Sequence, residues 1–250
     1  MNLVFFFESR AFLNDKIIMS CIESIRYSVA MEKAQIDAEC LKGRFIVFDG
    51  PDGSGKTTQM NRFSAWCDSQ GLMLKEVREP GGTYIGEQIR EVLLDPNNKG
   101  MTLPCEMLMY MASRAQLMEQ EVLPALEAEQ VVVADRFISS TLVYQGYAGG
   151  LSDDWIKQVG EVALQSCWPD LTLIFDVDLE TSSKRLNPLL DRMELKGQLF
   201  HQKVREGFIS LAKNEPEKYV LIDATASADT VEGLVKKALS VHFEGLISRK

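Results

Sequence analysis

The sequence predicts an α/β fold, a single parallel sheet of five strands with helices packed on both of its faces. Three observations carry that expectation. Short apolar runs open at Phe45 and recur at 74–77, 131–134, 171–175 and 219–222, with long helical patterns between them. The first run leads through Gly50-Pro-Asp-Gly-Ser-Gly55-Lys56-Thr57 into a helix, the spacing Gly-x-x-x-x-Gly-Lys-Thr. At 250 residues, with 46% apolar and 25% charged side chains, the chain can bury a sizeable core in one domain with an appendage.

The first strand and its loop form a phosphate-binding unit. Gly50 and Gly55 permit a tight turn that aims backbone N–H groups inward, across Pro51, Asp52, Gly53 and Ser54. Lys56 supplies a point charge for β- and γ-phosphates, and the Thr57 hydroxyl suits Mg²⁺. Met60, Phe63 and Cys67 then recur at helical spacing, and Gly71 offers a stop.

In an open parallel sheet, ligands lie beyond the carboxyl ends of the strands. The second run ends in Arg78-Glu-Pro-Gly-Gly-Thr83, and the third in Asp135-Arg136 followed by Ser139-Ser140-Thr141 and Tyr144-Gln145. Together with the first loop these ends should converge on one cleft. Each arginine alone reads as a solvated surface residue; as a group, Arg78, Arg136 and Arg90 suit a second phosphoryl group beside the nucleotide. Asp135, ending an apolar strand, suits the carboxylate that fixes Mg²⁺.

A helix from about 106 to 118 carries Met107, Leu108, Met111, Ala112 and Ala115 as its expected apolar stripe, with Tyr110 and Arg114 one turn apart on an adjoining face. That pair suits stacking on a nucleobase and hydrogen bonding to it, or else a packing ring beside a surface ion pair. After the fourth run, Lys184-Arg185-Leu-Asn-Pro-Leu-Leu-Asp191-Arg192 reads as a short lid or a solvated charged loop, ahead of a helix through Phe200, Val204 and Phe208.

Residues 1–42 precede this unit as an N-terminal extension, helical through Ile18, Cys21, Ile22, Ile25 and Val29 or else disordered, and 43–250 form the main domain. The acidic residues of the extension argue against a transit peptide. A net charge of −9 argues against a nucleic-acid partner, and no apolar run reaches membrane-spanning length. The scattered cysteines, without a C-x-x-C pair, suit reduced thiols in a cytoplasmic protein. A guanine-reading Asn/Thr-Lys-x-Asp motif is absent, since Asn97-Asn98-Lys99-Gly100 lacks the Asp.

Phe48-Asp-Gly-Pro-Asp-Gly-Ser-Gly-Lys-Thr-Thr58, Arg78-Glu-Pro-Gly-Gly-Thr83 with Gly86-Glu87 and Ile89-Arg90, Ala112-Ser-Arg114, the segment Asp135 to Gly146, and Asp191-Arg-Met-Glu194 together resemble the bacterial thymidylate kinases of the nucleoside monophosphate kinase group. The resemblance runs from about Arg44 to the C-terminus. It implies a P-loop NTPase three-layer fold with a short lid, transfer of the γ-phosphoryl of ATP to dTMP with Mg²⁺, and a homodimer. It further implies that Asp52 reaches the sugar 3′-hydroxyl, that Arg78, Arg90 and Arg136 hold the acceptor phosphate, and that Tyr110 stacks on thymine while Arg114 donates to its carbonyl. Ser140, Thr141 and Gln145 fall where side chains contact the base, and Tyr144 where a ring crowds the ribose 2′ position. Lys56, Arg136, Arg185 and Arg192 become the transition-state cations, with the heavier role expected of Arg192. Two departures stand out: Asn187-Pro188 replaces a further lid arginine, and Tyr147-Ala-Gly149-Gly150 lacks an arginine common in relatives. The remaining alternatives are a kinase for another pyrimidine monophosphate and a nucleotide-binding regulator that has lost turnover.

Overall fold

The computed structural model describes residues 36–185 and 191–247. Its sheet has five parallel strands in the order β2-β3-β1-β4-β5, with β1 Phe45–Asp49, β2 Leu74–Arg78, β3 Val131–Asp135, β4 Leu171–Asp176 and β5 Tyr219–Asp223. Each strand after the first runs one residue beyond its apolar run. Arg78 and Asp135 are therefore the last paired residues of adjacent strands, opposite each other in register.

Side chains alternate across the sheet, and two helical layers form because β1 is apolar on both faces. Ile46 and Phe48 pack with α1 (Lys56–Ser69) and the C-terminal helix α9 (Ala228–Ile247), through Met60, Phe63, Cys67, Val235, Leu239 and Phe243. Phe45 and Val47 face the other way, toward α3 (Leu103–Leu117), α4 (Leu123–Glu127) and α6 (Asp153–Leu164), through Met107, Met111, Leu117, Ala125, Ile156 and Leu164. A third cluster joins Ile174 of β4 to Val204 and Phe208 of α8 (Gln198–Asn214). The other α-helices among the described residues are α2 (Tyr84–Leu94), α5 (Ile138–Thr141), which continues as a π-helical turn Leu142–Tyr147, and α7 (Leu179–Arg185).

The expected break at 42/43 is not a break in packing. Ile36 and Leu41 are 5% and 0% exposed and belong to the core beneath α9, so 36–42 is part of the domain. The helical stripe from Ile18 to Val29 lies outside the described residues, as does the Asn187-Pro188 segment. The expected stripe of α3 is also corrected. Leu108 and Ala112 face outward, while Glu106, Met107, Met111, Ser113, Arg114 and Leu117 are buried. The helix is nearly as apolar outside as inside, so periodicity alone could not choose its inner face. Arg114 lies on that inner face rather than beside it.

Candidate active site

The loop after β1 is shaped by glycines that no other residue could replace at two points. A Cβ on Gly50 would meet the Phe175 carbonyl oxygen at 2.5 Å, and one on Gly53 would meet the Ser182 carbonyl oxygen at 2.5 Å, both glycines having positive φ. At Gly55 the chain turns into α1, which no side chain caps, so its leading N–H groups are left for a ligand. Lys56 is buried and folds back over the loop, donating to the carbonyl oxygens of Gly50 at 3.0 Å and Pro51 at 2.9 Å. Burial, reinforced by Arg136, lowers its pKa to about 8 against the pull of Asp52, Asp135 and Asp49.

The ends of β1, β3 and β2 meet, as expected, around one cleft of about 620 Å³. Asp52, Gly53, Gly55, Lys56, Thr57, Arg78, Arg90, Tyr110, Arg114, Asp135, Arg136, Ser140, Thr141, Tyr144, Gln145 and Arg185 all line it. Gly50, Pro51 and Ser54 complete the loop beneath without lining the cleft. Thr57 and Asp135 present a hydroxyl and a carboxylate to the same space. This hard, all-oxygen set fits Mg²⁺, which typically takes one or two protein oxygens and completes its shell with water and phosphate.

Arg136 sits in the left-handed region at φ 66°, an unusual conformation for a non-glycine residue, which turns its side chain back into the cleft. Its Nη1 donates to the Gly50 carbonyl at 2.9 Å and Ser140 Oγ at 3.2 Å, and its Nη2 pairs with Asp52. Burial opposes its charge, but Asp52 and Asp49 hold its pKa well above the ordinary value. Asp52 also accepts from the Tyr144 hydroxyl at 3.4 Å. Asp49, fully buried, accepts from Ser139 Oγ at 2.6 Å and Ser140 Oγ at 2.8 Å, fastening the turn after β3 to the end of β1. Arg78 is held by both carboxylate oxygens of Glu87 at 2.8 and 2.9 Å, and Arg90 donates to the Pro80 carbonyl at 2.8 Å.

On the opposite wall, Arg114 is 1% exposed. Its Nε donates to both Glu79 oxygens at 3.0 and 2.9 Å, its Nη2 donates to Glu79 at 2.5 Å and Thr141 Oγ1 at 3.2 Å, and its guanidinium lies 5.0 Å from the Phe137 ring centre. Glu79 immediately precedes the cis bond to Pro80. Burial pushes its carboxyl up to about 7 even beside Arg114. Tyr110 is half-buried, and desolvation raises the pKa of its phenol, which stays neutral.

The family profile described as Thymidylate kinase matches residues 48–235. The chain belongs to the thymidylate kinase family. A thymidylate kinase of Caldanaerobacter subterraneus subsp. tengcongensis is 44% identical over 207 residues, covering 82% of this chain and 99% of that protein. One of Symbiobacterium thermophilum is 41% identical over 210 residues, covering 82% and 98%. The crystal structure of thymidylate kinase from Ehrlichia chaffeensis superimposes with a TM-score of 0.66 at 31% identity, covering 79% of this chain and 98% of that one.

Within this thymidylate kinase site the two lid arginines part company. Arg185, at the end of α7, points Nη1 at the Gly53 carbonyl, 3.4 Å away, and lines the cleft. Arg192 does not line it. It is 8% exposed, with Nε on the Leu93 carbonyl at 2.6 Å and Nη1 on Glu106 at 2.6 Å. The expectation that Arg192 carries the heavier catalytic load is therefore revised, because this guanidinium is committed to a buried carboxylate. Sequence reasoning missed the supporting acids Asp49, Glu79, Glu87 and Glu106. The first three lie inside quoted motifs, but each holds a cation from elsewhere in the chain, Asp49 with Arg136, Glu79 with Arg114 and Glu87 with Arg78, so sequence neighbourhood did not reveal the pairings; Glu106 had only its place one helical turn before Tyr110.

Proposed function

We infer that the chain phosphorylates dTMP to dTDP, with ATP as phosphoryl donor. The observation that supports this most is the meeting, in one cleft, of a Lys56 phosphate loop, an arginine cluster at the ends of β2 and β3, and the Tyr110–Arg114 pair of α3. Arg78, Arg136 and Arg90 hold the acceptor phosphate, Asp52 takes the sugar hydroxyl, and Tyr144 crowds the 2′ position. Tyr110 stacks on the base while Arg114, Ser140, Thr141 and Gln145 address its edge.

The acceptor phosphate is already anionic, so no general base is needed; the cost lies in bringing two charged phosphates together. Lys56 exchanges two loop carbonyls for phosphate oxygens, Arg136 stabilises charge on the transferred group, and Arg185 joins it from the lid. Thr57 and Asp135 would hold Mg²⁺, which neutralises phosphate charge when bound. A homodimer and a cytoplasmic setting are part of the same reading. The exposed apolar stripes of adjacent helices support the first, and the free thiols of Cys40, Cys67, Cys105 and Cys167 support the second. Among the described residues, no helix is long and apolar enough to cross a membrane.

ADP release with ATP, Mg²⁺ and a panel of dTMP, dUMP, UMP and CMP tests the assignment. The highest kcat/KM is expected with dTMP. Preference for another monophosphate would transfer the activity to that substrate, and ADP release from none would leave a nucleotide-binding regulator.

A further inference from the structure

The side chain of Glu106 is 2% exposed, lies outside the cleft, and yet gathers four contacts from three residues. Oε1 accepts from Gln145 Nε2 at 2.8 Å, Oε2 accepts from Arg192 Nη1 at 2.6 Å, and Lys196 Nζ donates to both at 3.0 and 3.2 Å. Burial works to raise its pKa, but the Gln145 bond and the two cations hold it below the ordinary carboxylate value. Glu106 is therefore an obligate acceptor.

That constraint decides the orientation of Gln145. An amide has one donor end and one acceptor end, and only its NH₂ can face a carboxylate. Gln145 is 1% exposed and lines the cleft, and among the described residues its Oε1 receives no hydrogen bond. The acceptor end is thus left to a ligand. Arg114, two helical turns along α3 from Glu106 on the same face, lines the cleft too and offers only donors.

We propose that Glu106 is a positioning residue for base choice, fixing the Gln145 amide so that the cleft offers one base both a donor from Arg114 and an acceptor from Gln145. Thymine and uracil present a C4 carbonyl next to N3–H, the complement of that pair. Cytosine presents an N4 amino group next to a bare N3, so both contacts would face like against like. The thymine methyl plays no part in this discrimination. The inference rests on the reading of Arg114 and Gln145 as base contacts.

The test compares kcat/KM for dTMP and dCMP in Glu106→Gln and Glu106→Asp, with folding followed by Tm; slow dCMP turnover is replaced by competition against dTMP. Glu106→Gln can donate as well as accept and lets the amide turn, and Glu106→Asp withdraws the carboxylate while keeping charge for Arg192. The dTMP-to-dCMP ratio should fall about tenfold or more in whichever variant folds. An unchanged ratio in a folded variant, with both substrates losing equally, overturns the proposal as a merely structural effect. Gln145→Met and Arg114→Met separate the two readings. If they lower the ratio and the Glu106 variants do not, the inference alone fails. If they too leave it unchanged, the base is read elsewhere and both fail.

Discussion

Lys56 keeps a charge where burial resists it, and the cost has a direction. Its pKa of about 8 lies below the ordinary 10.5, so between those values the folded chain binds fewer protons than the unfolded one. Stability from this group therefore grows as pH rises through that window, and at neutral pH it is absent. Lys56→Met should raise the stability of the nucleotide-free protein at pH 7 by about 1–3 kcal/mol in denaturant titration. The same change should lower kcat by roughly 10²-fold or more. A destabilised variant would mean that the ammonium's bonds to Gly50 and Pro51 outweigh its desolvation. The two lid arginines should also separate. Arg185→Ala should reduce kcat by roughly 10²-fold with little change in Tm. Arg192→Ala should cost about 1–3 kcal/mol in stability, because it leaves Glu106 buried with Lys196 as its remaining cation. Kinetics and thermal melts on both variants decide the assignment. At this scale the sequence could name the phosphate loop and the cleft-lining cations, since those residue types stand in motifs at strand ends. It could not rank Arg185 against Arg192: burial and pairing depend on Leu93 and Glu106, both distant in sequence.

Helix α3 shows what an element adds to its residues. Its inner face carries Glu106, Tyr110 and Arg114 at four-residue spacing, so one rigid rod sets the Gln145 amide together with the ring and guanidinium proposed to meet the base. Its helical character was legible from sequence, but its facing was not, because Leu108 and Ala112 look as core-like as Met107 and Met111. The N-terminal boundary failed for a similar reason: the short 3₁₀ turn Ala38–Leu41 is too brief to carry a period, yet its Leu41 is completely buried. Truncation makes the difference measurable. A chain starting at residue 43 loses Ile36 and Leu41 from the core, which should cost about 3–5 kcal/mol by burial of two aliphatic side chains. A chain starting at 36 keeps both. Neither deletion removes a cleft residue, so kcat in the folded 36–250 protein should stay within about twofold to threefold of the full chain. Loss of turnover in that folded protein would show that residues 1–35 contribute to the site.

Among the described residues, one side of the molecule is left apolar and exposed. Helices α2, α3 and α6 lie side by side, with α3 between the other two, and each exposes apolar residues at helical spacing: Ile85 and Val92, Leu108 and Ala112, Trp155 and Val162. Val162 is 80% exposed and Trp155 61%, values that make sense for a surface covered by another chain. The fold class was legible because alternation of strands and helices leaves few topologies. A face of this kind was not, because a residue buried by a partner and one buried by the core give the same pattern. Under the homodimer proposal two copies would pair through this face, with the outer side of α3 in the interface and the proposed base site on its inner side. Leu108→Asp with Val162→Lys should convert a dimer to monomer in sedimentation velocity, as charges at the centre of an apolar interface cannot be desolvated unpaired. Neither side chain lines the cleft, so the loop and its affinity for ATP should be unaffected. If α3 is steadied by the partner copy, KM for dTMP should rise several-fold in the monomer while KM for ATP does not. A wild-type protein that sediments as a monomer would remove the dimer. A monomeric variant with both KM values unchanged would keep the interface but uncouple it from the base site.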